Sequence, residues 1–210
     1  MMFTLYAKKN AGSVVVEAVL AACGAKYEIE DVIREAHGSM SANVYRVNPR
    51  GEVPALILPD GSVMTESAAI IIHLADIFPA AGLAPAVASP LRPRYLRWIL
   101  FMATTVYMSV LHYYHTGHYT TDAAGIPGIK AKALAGFAAE FDMLADALGK
   151  GPFMLGESMS ALDIYVAMLA AWAPDVPALF AKHPNIRTLH DRVAAVPAIG
   201  EVWTRNGTWP

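Results

Sequence analysis

Asn48-Pro49-Arg50-Gly51-Glu52-Val53-Pro54-Ala55-Leu56 is the stretch on which the fold turns. A β-rich run, Ala55-Leu56-Ile57-Leu58, opens directly behind a proline. The turn Pro59-Asp60-Gly61-Ser62 and then Val63-Met64 complete a hairpin. X-Pro is the peptide bond at which cis costs little. Val53-Pro54 is therefore either an ordinary trans proline starting an edge strand or a cis turn that directs the Val53 N–H and C=O outward, toward an extended peptide ligand. Thr65-Glu66-Ser67 follows the hairpin, and a helix over Ser67–Phe78 begins at the serine. Ser67 is expected as its N-cap, with free N–H groups behind it that attract a carboxylate. Glu66 beside it can pair with an ammonium. An α-amino acid head group carries both charges, so Glu66 and Ser67 form either a clamp for one or a plain cap beside a solvated glutamate.

Upstream of this stretch, Phe3-Thr4-Leu5-Tyr6 is expected as a strand and Val14–Cys23 as a helix ended by Gly24. Tyr27–Ile33 makes a second strand, and residues 39–47 a short helix. The order β-α-β-α-β-β-α is an α/β arrangement closed by an antiparallel pair. Downstream, Pro79–Pro90 holds three prolines and a glycine among small alanines and is expected as a linker. Beyond it the pattern is all-helical. Leu91, Tyr95, Trp98, Met102 and Thr105 share one helical spacing, and Leu96, Leu100, Ala103, Tyr107 and Leu111 another, which predicts a central helix apolar on two faces. Further helices are expected near 129–148, 161–173 and 186–195. The predicted domains are residues 1–79, a linker over 80–90, and residues 91–210.

Composition excludes several classes of function. A formal charge of −2 with scattered lysines and arginines gives no electrostatic reason for a nucleic-acid partner. The single cysteine, Cys23, excludes a disulfide framework, a Cys-x-x-Cys pair and a multi-thiolate zinc site, and fits a reducing cytoplasm. Hydrophobic residues make up 55% of the chain, and no Asp, Glu, Lys or Arg interrupts Trp98–Thr121. That stretch nevertheless carries three histidines, and its continuously apolar part is too short for a bilayer. No membrane span and no signal peptide are expected.

The Asn-Pro-x-Gly-x-Val-Pro-x-Leu stretch, followed by Glu66-Ser67 opening a helix, resembles the cytosolic glutathione transferases. Gly156-Glu157-Ser158-Met159-Ser160-Ala161-Leu162-Asp163 is similar to the same family's glycine plus Ser-x-x-Asp box, a folding element in which Asp163 reaches back to free N–H groups at the helix start. His183-Pro184-Asn185-Ile186 and Pro197-Ala198-Ile199 are also similar to the family's ending. The resemblance implies a thioredoxin-like glutathione-binding domain before an all-helical substrate domain, glutathione as co-substrate, a homodimer, and no metal. It places the cysteinyl backbone of glutathione on Val53 before a cis Pro54, and the γ-glutamyl end on Glu66 and Ser67.

Glutathione's thiol has to ionise to attack, and a free thiol has a pKa of about 8.5. The family places a hydroxyl donor at the end of the first strand or the start of the first helix, where this chain offers Tyr6, Asn10 and Ser13. Ser13 is the leading expectation, set against a role as simple N-cap; Asn10 is expected at the glutathione site. In cysteine-type members the nucleophile would fall on Gly12, so here the nucleophile is glutathione itself. His37 is expected near the glycyl carboxylate, and Glu52 is an unwelcome acid beside the site. The resemblance also puts Tyr107 within reach of the thiol, with Met108, Leu111, His112 and His115 lining an acceptor pocket for a hydrophobic electrophile. His112, His115 and His118, three apart, spread around a helix and do not converge on a metal. The reaction implied is conjugation of glutathione to the electrophile. A glutathione-dependent isomerase or peroxidase, or a non-catalytic glutathione- or protein-binding member, uses the same scaffold.

Overall fold

The computed structural model describes residues 2–36 and 38–207. The expectation for His37 falls outside the described residues. The chain divides into two compact units, one running to Val87 and resuming at Val193, the other spanning Ala88–Arg192.

In the first unit, β1 (Met2–Ala7), α1 (Ser13–Ala22), β2 (Lys26–Asp31), β3 (Ala55–Ile57), β4 (Val63–Thr65) and α2 (Ser67–Ile77) follow in order. The sheet order is β2-β1-β3-β4; β1 and β2 are parallel, and β3 is antiparallel to both β1 and β4. This is the thioredoxin-like mixed sheet. Along β1 the residues Phe3, Leu5 and Ala7 are buried in alternation, the period-2 signature of a half-buried strand. Helix α1 is rich in valine, a weak helix former, and forms because Val14, Val15, Val16, Ala18, Val19 and Leu20 are all buried. Residues 39–47 give only a 3-10 turn, Val44–Arg46, instead of the expected short helix. Just beyond it, Asn48 closes the following turn with side-chain bonds: its amide donates to Glu52 O at 2.9 Å and its side-chain carbonyl accepts from Arg50 N at 3.1 Å. Gly51 sits at φ +67°, and a Cβ there would lie 2.5 Å from the Tyr45 ring, so glycine is required.

The last helix of the chain, α9 (Pro197–Asn206), belongs with the first unit rather than with the helical one. It packs on α1. Arg205 pairs with the buried Glu17 of α1, and the Asn206 amide donates to Glu17 Oε2 at 2.8 Å.

The second unit contains α3 (Arg92–Phe101), a π-helical turn (Met102–Val106) and α4 (Tyr107–Tyr114), which together make the expected central helix. Of the first apolar set Tyr95, Trp98 and Met102 are buried and Leu91 is exposed; of the second, Leu100 is exposed and the rest are half-buried, while Ile99 and Val106, in neither set, are buried. Helix α5 (Ile126–Leu148) begins ahead of the expected 129 because Pro127 and Gly128 occupy its first turn, where proline's missing N–H costs nothing. Helices α6 (Ala161–Ala171), α7 (Val176–Lys182) and α8 (Pro184–Ala194) complete the bundle. Helix α7 was not expected: Pro177 suggests a break but lies in its first turn, capped by Asp175, whose carboxylate accepts from Ala178 N at 2.9 Å. Helix α6 is buried from Ala161 through Ala170, as a helix apolar on all sides must be. Among the described residues no helix is long and apolar enough to cross a membrane.

Between α4 and α5, the Ser109 hydroxyl donates to Glu140 at 2.8 Å. Burial pushes the Glu140 carboxyl up from its ordinary value, and the Ser109 bond draws it partly back. A raised folded pKa means that Glu140's stabilising contribution is full below the unfolded carboxylate pKa and is lost as pH rises through the folded value. Ser109→Ala should move the Glu140 titration further upward, as read by carboxyl-carbon NMR; a downward movement would contradict this account.

Candidate glutathione and acceptor sites

The sheet register assembles the first half of the site. Tyr6 is opposite Ala55, and Ala55 is opposite Thr65. One step beyond this row, at the same end of the sheet, come Ala7, Pro54 and Glu66. The C-terminal end of β1, the start of β3 and the end of β4 thus bring together Tyr6, Pro54 and Glu66, which are separated by up to sixty residues in the sequence. The Val53-Pro54 bond is cis.

Glu66 has φ +65° and ψ 104° and is the N-cap residue of α2. Its carbonyl accepts from Ile70 N at 3.0 Å. Ser67 is therefore the first residue of the helix and not its cap, a correction to the expectation: the backbone leaves the strand one residue earlier than the serine suggests. The first N–H groups of α2 remain those that a carboxylate would approach. Among the described residues only Asn10 (φ 51°) and Glu66 combine a side chain with positive φ. Both fall at this end of the sheet, and residues held in that region cluster at functional sites.

Ser13 has a different job from the one expected. It is 1% exposed, its hydroxyl donates to Lys8 O at 3.0 Å, and it accepts from Lys8 N at 3.0 Å. A hydroxyl has one proton, and here Lys8 takes it. Ser13 is also not the N-cap, which is Gly12. Its side chain braces the loop from Lys8 to α1. Asn10, exposed on that loop, keeps its side chain toward solvent. Glu52 does not stand as a bare acid, because Arg50 clasps it with two bonds of 2.8 and 2.9 Å.

Cys23 caps the end of α1 and is half-buried; burial pushes its thiol up to about 11. At neutral pH almost none of it is thiolate. Iodoacetamide should modify Cys23 far more slowly than free cysteine at pH 7, and Cys23→Ala should leave glutathione-dependent turnover unchanged; rapid labelling would contradict the burial.

The acceptor candidates lie on the second unit. Tyr107 opens α4 immediately after the π-helical turn, a distortion frequent at functional sites. Its ring meets the Trp172 ring edge-on at 5.7 Å. Trp172 was missed by sequence reasoning, although a tryptophan ending a largely apolar helix was visible. Met108, Leu111 and His112 are half-buried on the same helix, and His112 packs on Tyr119 at 4.1 Å. His115 is exposed and stacks on His118 at 5.6 Å. Among the described residues no group of three His, Cys, Asp or Glu side chains could hold a metal.

A thioredoxin-like sheet carrying a cis-proline and a strained Glu-Ser helix start, followed by a helical bundle with a buried central helix, defines a class of protein. The glutathione S-transferase N-terminal domain family matches residues 13–77 and the C-terminal domain family matches residues 107–196. The chain belongs to the glutathione S-transferase family. It is 26% identical over 98% of its length to the uncharacterized GST-like protein YncG of Escherichia coli (strain K12), covering 98% of that protein. It superposes on a crystal structure of a glutathione transferase from Methylococcus capsulatus str. Bath with TM-score 0.81 at 29% identity, over 98% of each chain. A sphingomonad glutathione S-transferase complexed with glutathione gives TM-score 0.82 at 27% identity, over 97% of this chain and 98% of that one.

Proposed function

We propose that this chain binds glutathione at the end of the sheet formed by Tyr6, Pro54 and Glu66, and conjugates it to an electrophilic, largely apolar small molecule. The observation that carries the reading is the meeting of Pro54 and Glu66, the latter at φ +65°, one step beyond the Ala55–Thr65 row where the β3–β4 ladder ends. Val53 would pair its backbone with the cysteinyl residue of glutathione, Glu66 would take the γ-glutamyl ammonium, and the first N–H groups of α2 would take that residue's carboxylate. Binding of glutathione by the sphingomonad relative supports this assignment.

Asn10 is the preferred donor to the sulfur, because it is an exposed amide, held at positive φ, on the loop in which Ser13 is already engaged. Tyr6 is the second candidate. With the thiol ionised, its sulfur forms a bond to an electrophilic carbon. A leaving group departs with the bonding pair, or an activated double bond takes up the electrons and then a proton. Tyr107, beside Trp172, is proposed to donate its hydroxyl to the electrophile, with Met108, Leu111, His112 and His115 as the surrounding wall. Self-association as a homodimer in the cytoplasm belongs to the same reading, supported by the exposed Ile77, Leu91 and Leu100.

The test is calorimetric titration of glutathione. Glu66→Ala should weaken binding by about tenfold or more, the worth of a hydrogen bond to a charged group. Glu66→Gln should lose less. Unchanged affinity in Glu66→Ala would overturn the assignment.

A further inference from the structure

The helical unit holds an apolar slot of about 180 Å³ that none of the expected site residues lines. It lies between one face of α5 and one face of α7. Its floor is Phe137, Leu179 and Ala173, all buried. Its exposed lining is Leu134 and Ala138 on α5 with Asp175 and Ala178 at the start of α7, and the two alanines leave the room. At one end stands a polar cluster. Lys182 and His183 line the slot, and both reach Asp142 of α5, Lys182 Nζ at 2.5 Å and His183 Nε2 at 3.0 Å.

Size and polarity together restrict the occupant. An enclosed apolar cavity of roughly 150 Å³ accepts benzene; this slot has a similar volume but is open to solvent along Ala138 and Ala178, so it has space for a single substituted ring and not for a drug-sized ligand. The Asp142 carboxylate already offsets the Lys182 charge, so the polar end suits a neutral hydroxyl more than a full anion. Lys182 is more than half exposed and has further N–H donors to offer. We propose that this slot is a binding site for a small monocyclic phenol, its ring between Ala138 and Ala178 and its oxygen accepting from Lys182. The site is independent of the glutathione reading, since its residues all belong to the helical unit.

The pair p-cresol and p-xylene tests this directly, because they differ only by hydroxyl for methyl. Methyl NMR of the full-length protein should show saturable shifts at Leu179, Ala138 and Ala178 with p-cresol, with Kd in the range of about 0.1–1 mM. Ala178→Leu fills the slot and should abolish the Leu179 shift while the thermal midpoint is kept; Ala138→Leu serves as the second filling variant. Lys182→Met should weaken p-cresol about tenfold and leave p-xylene unchanged. Absence of saturable shifts, or shifts that survive both filling variants, would overturn the site. Equal affinity for the two probes would overturn the phenol as its ligand.

Discussion

Asp163→Ala is expected to lower stability by about 3–5 kcal/mol, a large share of the roughly 5–15 kcal/mol that holds a domain of this kind. Asp163 is fully buried at the start of α6. Its Oδ1 accepts from Met154 N at 2.7 Å; its Oδ2 accepts from Ser160 N at 2.8 Å and from the Ser160 hydroxyl at 2.9 Å. Truncation would strand two buried N–H donors and a hydroxyl, and would also loosen the loop that delivers the chain to the buried helix α6. Asp163→Asn keeps the shape and one acceptor oxygen, and should recover part of the loss. The urea midpoint of the three proteins measures this, and a loss below about 1 kcal/mol would show that the bonds are replaceable by water.

The second large effect is an asymmetry. Arg205→Ala should destabilise the protein more than Glu17→Ala, although the two residues form one ion pair. The Glu17 side chain is 3% exposed and that of Arg205 is 49% exposed. Removing Arg205 leaves a carboxylate in the interior held by the Asn206 amide, a situation that costs about 3–5 kcal/mol. Removing Glu17 leaves a guanidinium that water can reach, and an Asn206 amide that still donates to Val202 O at 2.8 Å. Because the pair joins α1 to α9, loss of Arg205 should also release α9, visible as faster amide exchange between Pro197 and Asn206. Equal losses in the two variants would contradict the burial argument.

Much of this was legible in the sequence, for identifiable reasons. The hairpin, the proline before it and the Glu-Ser helix start are local signals, and each lies where local chemistry fixes the backbone. The capping function of Asp163 was legible for the same reason. What the sequence did not disclose depends on distant partners. The hydroxyl of Ser13 is consumed by the backbone of Lys8, which no spacing rule announces. Glu17 looks like a surface residue until α9 brings Arg205 to it from 188 positions away. Helix α7 was obscured by a proline that breaks helices everywhere except in their first turn. The cap position was misjudged by one residue because Glu66, at positive φ and with no side-chain capping bond, stands where the serine was expected.

The central claim, a glutathione site that activates the thiol through Asn10 and not through Ser13, is tested most directly by the thiolate absorbance of bound glutathione as a function of pH. The wild-type protein should show a bound-thiol pKa clearly below the free value of about 8.5. Asn10→Ala should return it toward that value, and Ser13→Ala should leave it low while reducing thermal stability. A bound thiol with an unshifted pKa in the wild-type protein would contradict the enzymatic reading, and a shift lost only in Ser13→Ala would contradict the assignment of the donor.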